Sequence, residues 1–329
     1  MQSTLNKFLA SKVVDGECFI ISPSRSYQHD ETDYDRQYGL GQFSIAELEA
    51  EAGFIMDLCA AHGLPAGASI LEIGCGTGRI SLGLAMQRAV GHLLITDPSP
   101  AFCRIVQRKL LGIDYLAQRI DFGVLLAEDV GLLPEGAVSL ILLRSVLHHV
   151  ADVDGFLRSA ASVLSPGGLL VCEEPYYDGY LMMGMVAQFI EGALANDGFV
   201  CSPKERELIA TFVASMQFYS RRDVDKSAAE DKHLFRPDEL MASGRSIGLE
   251  LHHYPNWRMT LSPERNAAGL PGFFFRFFCD YILYCMDWPR EFVDKVSAAM
   301  KPYFQYFEPI ENAGNTAPYC FGTFVFVKR

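Results

Sequence analysis

The chain predicts an α/β fold: a doubly wound, mostly parallel seven-stranded sheet with helical insertions laid over it. Three observations predict it. Short apolar runs alternate with amphipathic segments from Ser69 to Cys172, a pitch that implies parallel strands joined by helices. One run, Val138–Leu143, is nearly all apolar, as a strand covered on both faces must be. The alternation breaks at Tyr176 and resumes near Pro237, so helical material is inserted without ending the sheet.

Residues 1–43 form a mixed N-terminal segment that closes in a polar stretch with Tyr27, Tyr34 and Tyr38, a candidate lid. A helix starts at Ser44. Glu47 completes a capping box there, and Leu48, Ala52, Ile55 and Cys59 recur at helical spacing. Gly63 and Pro65 end it. Ser69–Ile73 reads as a strand, Gly76–Arg88 as a helix, His92–Thr96 as a strand and Pro100–Leu111 as a helix. Gly123–Ala127 and Val138–Leu143 are strands. Asp152–Leu164 is a helix stopped by Ser-Pro-Gly-Gly at 165–168, and Leu169–Cys172 is a fifth strand.

Residues 44–175 thus form the core, 176–236 a helical insertion, and 237–329 the completion of the sheet with a second insertion at about 262–316. Within that last part, a helix near Pro237–Ile247 precedes strands at Leu249–Arg258 and Tyr319–Val327. The charge-rich patch Arg221–Lys232 reads as a solvated turn between helices.

Half of the 329 residues are hydrophobic and 21% are charged, which excludes global disorder. Lysine and arginine total 28 against 40 acids, a net charge of −12 that would repel a polyphosphate, so no nucleic-acid partner is expected. No stretch approaches the ~20 apolar residues of a membrane span; Phe273–Met286 carries Arg276 and Asp280. The N-terminus has neither an apolar leader core nor a small-residue cleavage site, so a cytoplasmic protein is expected. Nine cysteines without a C-x-x-C pair read as reduced buried thiols, not a disulfide framework or a zinc site.

The informative segment is LEIGCGTG at 71–78, which follows a strand and opens a helix. Glycine gives a tight turn and lets a ligand approach the backbone. A dinucleotide fingerprint starting at Gly74 would want glycine where Arg79 stands. Glu72, two residues before the first glycine, would gain nothing from a pyrophosphate but would suit an ammonium and a sulfonium. Asp97 follows 23 residues after Gly74, where an acid at a strand end can accept from ribose hydroxyls. Glu128 and Asp129 end the third strand, and the fourth runs into Arg144, Ser145 and His148-His149. All lie at carboxyl ends of parallel strands, where open α/β sheets bind ligands.

The strings LEIGCGTG, ITDPS, AEDVGLLPEGAVSLILLRSVLHHV and LSPGGLLVCEEP resemble the class I S-adenosylmethionine-dependent methyltransferases, small-molecule branch, typified by ubiquinone/menaquinone-type and natural-product methyltransferases. The resemblance covers residues ~44–175 and returns at HLFRPDELMASGRSIGLEL. It implies a Rossmann-like methyltransferase fold, S-adenosyl-L-methionine as cofactor with S-adenosyl-L-homocysteine as product, and methyl transfer to an O, N or C atom of a small metabolite. Glu72, Gly74, Cys75 and Gly76 would hold the methionine end. Asp97 would take the ribose hydroxyls and Asp129, with the Val130 backbone, the adenine, with Pro98 and Glu128 as further cofactor contacts. Arg144 and Ser145 would lie beside the cofactor. No N/D-P-P-Y/F tetrapeptide of the nucleic-acid or protein-directed enzymes follows the fourth strand.

His148 is the candidate general base; the plainer reading is a histidine bonded to a nearby backbone group. Tyr34, Tyr38, His149, Glu173 and Tyr176 are candidate substrate contacts, with core packing, helix capping or a surface loop as the plainer readings. Glu174 and Tyr177 share that strand edge. His252 and His253 are adjacent on a strand and point to opposite faces, so they cannot chelate together, and no other spacing announces a metal site. Seventeen of the 39 aromatic residues lie between Phe273 and Phe326; core packing is the default reason, with an apolar pocket or a homodimer contact through these helices as the alternatives. The aromatic and methionine-rich insertions suit an apolar or aromatic acceptor and a water-excluding cover. The rival readings are a cofactor-binding enzyme of pericyclase or decarboxylase type, a non-catalytic scaffold, and a protein or peptide methyltransferase.

Overall fold

In the computed structural model the described residues are 4–25, 34–36, 43–268, 272–307 and 319–329. Helix α1 (Thr4–Leu9) leads into β1 (Val14–Asp15) and β2 (Cys18–Ile20). Then follow α2 (Ile45–Ala61), β3 (Ala68–Ile73), α3 (Arg79–Ala85), β4 (Val90–Asp97), α4 (Pro100–Leu110) and β5 (Arg119–Val124). A 3₁₀ turn at Ala127–Leu132 precedes β6 (Val138–Arg144), and another at Leu147–His149 precedes α5 (Val153–Val163) and β7 (Leu164–Pro175). The first insertion is α6 (Tyr177–Ala187), α7 (Ile190–Asn196) and α8 (Pro203–Ser220). After α9 (Pro237–Ser246) and β8 (Leu249–Pro255) comes the second: α10 (Pro263–Ala268), α11 (Phe273–Asp280), a π-helical turn at Tyr281–Cys285, and α12 (Arg290–Phe304). Strand β9 (Phe321–Lys328) completes the sheet.

The sheet order is β1-β2-β5-β4-β3-β6-β7-β9-β8. Every neighbouring pair from β2 to β7 in that order is parallel, while β9 runs antiparallel to both β7 and β8, and β1 to β2. The seven expected strands are β3 to β9. The sheet has nine because the N-terminal segment adds two short strands at the β5 edge, too brief to show as a periodic pattern. The third expected strand ends earlier than the apolar run suggests: β5 stops at Val124, and Ala127–Leu132 winds into a 3₁₀ turn.

Side chains alternate across the central strands as the pleat requires. On β6, Leu140 and Leu142 enter one core with Leu48, Ile80, Leu82 and Val106 of α2, α3 and α4. Ile141 and Leu143 enter the other with Leu5, Phe156 and Leu240 of α1, α5 and α9. A third cluster, with Met183, Phe212, Phe274, Phe278, Trp288 and Phe304, joins the two insertions into one cover. The cover is tied to the sheet where Tyr176 N–H donates to Cys320 O (3.0 Å) and Gly179 N–H to Tyr319 O (2.7 Å). A Cβ at Gly179 would stand 2.4 Å from Cys320 Cα, so only glycine allows this approach. All nine cysteines are free thiols, seven of them buried. No helix among the described residues is long and apolar enough to cross a membrane.

Candidate functional site

The chain leaves β3 for β4 and β5 on one side, then returns to β6 on the other. That reversal opens a crevice beyond the carboxyl ends of β3, β4, β6 and β7. The glycine loop after β3 is stitched to the end of β4. Gly74 and Cys75 N–H both donate to Thr96 O at 2.9 Å, and Thr96 Oγ1 donates to Glu72 O at 2.7 Å. Asp97 accepts from Gly76 N–H (3.0 Å) and Ser99 N–H (2.8 Å). Gly74 takes φ +75°, and a Cβ there would meet Val146 Cγ2 at 2.4 Å. Gly76 takes φ +50° and faces the Tyr34 ring.

The N–H groups of Gly74, Cys75, Gly76 and Gly78 are spent inside the protein, and the acids that flank the loop are Glu72 and Asp97. Glu72 and Asp97 are both buried, at 4% and 5% exposed. Burial pushes Glu72 up to about 7, against the bond from Ser81 Oγ and with help from the nearby Asp97 charge. An acid so short of compensation is a fitting partner for an ammonium group, not for a phosphate. Cys75 is buried, with its thiol pushed up by burial to about 12. Arg79, in place of a third fingerprint glycine, pairs with Glu51 at 2.7 and 3.0 Å and lies 4.0 Å from the Phe43 ring centroid, docking α3 on α2. Pro98 accepts from Arg25 N–H at 2.9 Å. Exposed Glu128 and half-buried Asp129 stand on the 3₁₀ turn rather than on a strand end, with Val130 buried beneath.

The β6 end is strained. Ser145 is exposed with φ 55°, a conformation that costs a non-glycine residue about 1–3 kcal/mol and clusters at functional sites. Its N–H donates to Glu173 O (3.0 Å), and Glu174 pins the turn that follows. Glu174 is 1% exposed and accepts from Val146 N–H (3.0 Å), Leu147 N–H (2.7 Å) and His148 Nδ1 (2.6 Å). Arg144 is paired with Glu173 at 3.4 Å; burial lowers its pKa and Glu173 counters that.

His148 is gripped from both sides, with Nε2 3.4 Å from Asp231 Oδ1. Burial opposes its charge, but Glu174 and Asp231 outweigh burial and hold it up at about 10. Both ring nitrogens of His148, the candidate base, thus face carboxylates. His149 is lowered by burial and by the His148 charge. Its Nδ1 lies 3.0 Å from Glu230 O, and the two rings are 4.0 Å apart.

A cavity of about 800 Å³ lies between these strand ends and the cover. Tyr34, Arg144, Ser145, His148, His149 and Glu173 line it, so the sequence candidates from β6 and β7 come together with Tyr34. Tyr176 does not. It is 1% exposed, with Phe324 at 5.1 Å and its ring occupying the space a Gly322 Cβ would need; as the last residue before the cover it is a core wedge. Tyr27 and Tyr38 lie outside the described residues. The cavity also draws in Tyr180, Tyr281, Arg258 and Asp231. Asp231 corrects the reading of 221–232 as a purely solvated turn: Lys232 and His233 N–H donate to His148 O (2.8 and 3.2 Å) and hold it against the histidines. No local pattern announces a carboxylate some eighty residues from its partners.

A sheet of this order, with acids flanking a glycine loop at its reversal, defines the Rossmann-like α/β class. Residues 71–170 match the family described as "Methyltransferase domain". The chain is 31% identical over 206 residues to the ubiquinone biosynthesis O-methyltransferase of Xanthomonas axonopodis pv. citri (strain 306), covering 63% of this chain and 72% of that protein. It is 30% identical over 205 residues to the protein of the same name from Xanthomonas euvesicatoria pv. vesicatoria (strain 85-10), covering 62% and 71%. A chain of the complex between the Haloferax volcanii Trm112 methyltransferase activator and its methyltransferase superposes with TM-score 0.50 at 13% identity, covering 92% of this chain and 99% of that one, a likeness of fold alone. The chain belongs to the class I S-adenosylmethionine-dependent methyltransferases and is an enzyme of that class.

Proposed function

We propose that this enzyme moves a methyl group from S-adenosylmethionine to a small, apolar or aromatic acceptor held in the cavity between the strand ends and the helical cover. The observation that carries the reading is the pair of buried carboxylates, Glu72 and Asp97, on either side of the glycine loop. They fit a donor with an ammonium group at one end and a ribose at the other. Glu72, Gly74 and Gly76, with the Cys75 backbone, would hold the methionine end. Asp97, beside Pro98, would accept from the ribose hydroxyls, and Glu128, Asp129 and the Val130 backbone would meet the adenine. When bound, the donor supplies a methyl on a sulfonium, already a good leaving group.

The protein's share is then alignment and dryness. Holding two reactants in register is worth as much as ~7–11 kcal/mol. Arg144 and Ser145 would flank the transfer line, with Tyr34, His149 and Glu173 touching the acceptor. The cover, whose third core is almost wholly aromatic and aliphatic, keeps water out. An oxygen acceptor is favoured by the names of the Xanthomonas relatives, both O-methyltransferases. The test is calorimetric titration with S-adenosylhomocysteine, together with incubation of labelled methyl donor with a panel of phenols. Saturable one-to-one binding and label transfer support the reading. A chain that ignores the product nucleoside overturns it.

A further inference from the structure

Two adjacent histidines cannot share an ion on a strand, but these stand on a 3₁₀ turn, where successive side chains fan out by roughly a third of a circle. One ring nitrogen of each of His148 and His149 and one carboxylate oxygen of Asp231 lie within 4.8 Å of one another. The three come from two separate segments and converge on the cavity wall. Behind them, fully enclosed Glu174 takes Nδ1 of His148 at 2.6 Å and so turns Nε2 toward Asp231. A carboxylate that fixes the far nitrogen of an imidazole is the usual support for a metal-ligating histidine. Three protein ligands with an open side toward a cavity also match a catalytic site, whereas a structural one is closed.

We propose that His148, His149 and Asp231 bind one divalent first-row transition-metal ion, each histidine giving an unprotonated ring nitrogen and releasing to solvent any proton that nitrogen carried. Two imidazoles and one carboxylate suit Mn²⁺, Co²⁺ or Zn²⁺ better than Mg²⁺, which prefers oxygen. The open side would take the acceptor's hydroxyl oxygen, making it more acidic and fixing it in the cavity. That last role rests on the methyltransferase reading; the binding of the ion does not. Arg144, Glu173, Glu174, Glu230, Arg258 and Asp287 are the other charged groups lining the cavity among the described residues.

The experiment is titration of the metal-stripped full chain with Mn²⁺, followed by the loss of the free-ion paramagnetic signal, and with Co²⁺, followed by its visible absorption. One ion per chain is expected. Asp231→Asn and His149→Ala should each weaken binding at least 100-fold while S-adenosylhomocysteine affinity stays within twofold, which also shows that the variants fold. Pulsed paramagnetic spectra of the wild-type Mn²⁺ complex should show nitrogen coupling from imidazole, a readout that needs no variant. Ions that stay free at millimolar concentration, variants that bind like the wild type, or a complex without nitrogen coupling would overturn the site. Loss of product-nucleoside binding with the metal site intact would instead strike the methyltransferase reading.

Discussion

The cavity's two walls are built by different means. The sheet-side wall is a web of directed bonds: Thr96 O, Asp97 and Glu174 between them hold eight N–H contacts of the glycine loop, the β4 end and the histidine turn. The cover is held mainly by packing: behind its cavity-facing residues, Phe212, Phe274, Phe278, Trp288 and Phe304 pack ring on ring. Directed bonds fix atoms to within tenths of an ångström, as recognition of one constant ligand demands. Packed rings fill volume and can be re-cut without loss of backbone support. On the proposed reading, the donor rests on the first material alone, while the acceptor is held against it and covered by the second.

The sharpest way to break this division is Phe278→Ala. Phe278 is fully enclosed in the cover, and its removal should destabilise that part by about 3–5 kcal/mol. Denaturant unfolding measures the loss, while S-adenosylhomocysteine affinity should hold within about twofold if the walls are independent. Next comes Asp97→Ala, which should cost about 1.5–3 kcal/mol of that affinity through lost charge-assisted hydrogen bonds; unchanged calorimetric binding removes Asp97 from the site.

A smaller effect is pH dependence from Glu72, which burial raises to about 7. Below that pH the acid is neutral and must release its proton to face an ammonium group. Wild-type affinity should therefore fall toward tenfold per pH unit as pH drops below 7, and Glu72→Gln should flatten the curve. The same shift acts on stability in the opposite sense. The native state keeps a proton that the unfolded chain gives up in the ordinary carboxyl range, so Glu72's contribution is lost as pH rises from there to about 7. A denaturation series across that window reads it. Smallest is Arg79→Met, which breaks the half-buried pair with Glu51 and the stacking on Phe43; about 0.5–1 kcal/mol of stability should go, with donor affinity nearly unchanged.

The sheet-side wall was also the legible one. Strand ends, the glycine loop, Asp97 and the Ser44–Glu47 capping box, seen here with both of its bonds, all act over short stretches of chain. What escaped reading depends on distance. Glu173 and Glu174 are neighbours of one residue type, yet the pleat sends Glu173 to Arg144 and Glu174 under the histidine turn. Tyr176 and Tyr177 part in the same way, the first enclosed and the second only half-covered. Asp231 belongs by composition to a solvated turn, and only the pairing of Lys232 and His233 with His148 O brings it back.

Strand β9 has a consequence for how the molecule assembles. It lies between β7 and β8, although its partners on β7 are roughly 150 residues earlier in the chain, a closure that is entropically slow. Until it docks, β8 has no sheet neighbour, and the residues just ahead of β9 cannot tether the insertions through Tyr176 and Gly179. The nucleotide half can therefore set early, as a floor without a roof, and the late-arriving strand seals the far edge and lowers the ceiling in one step.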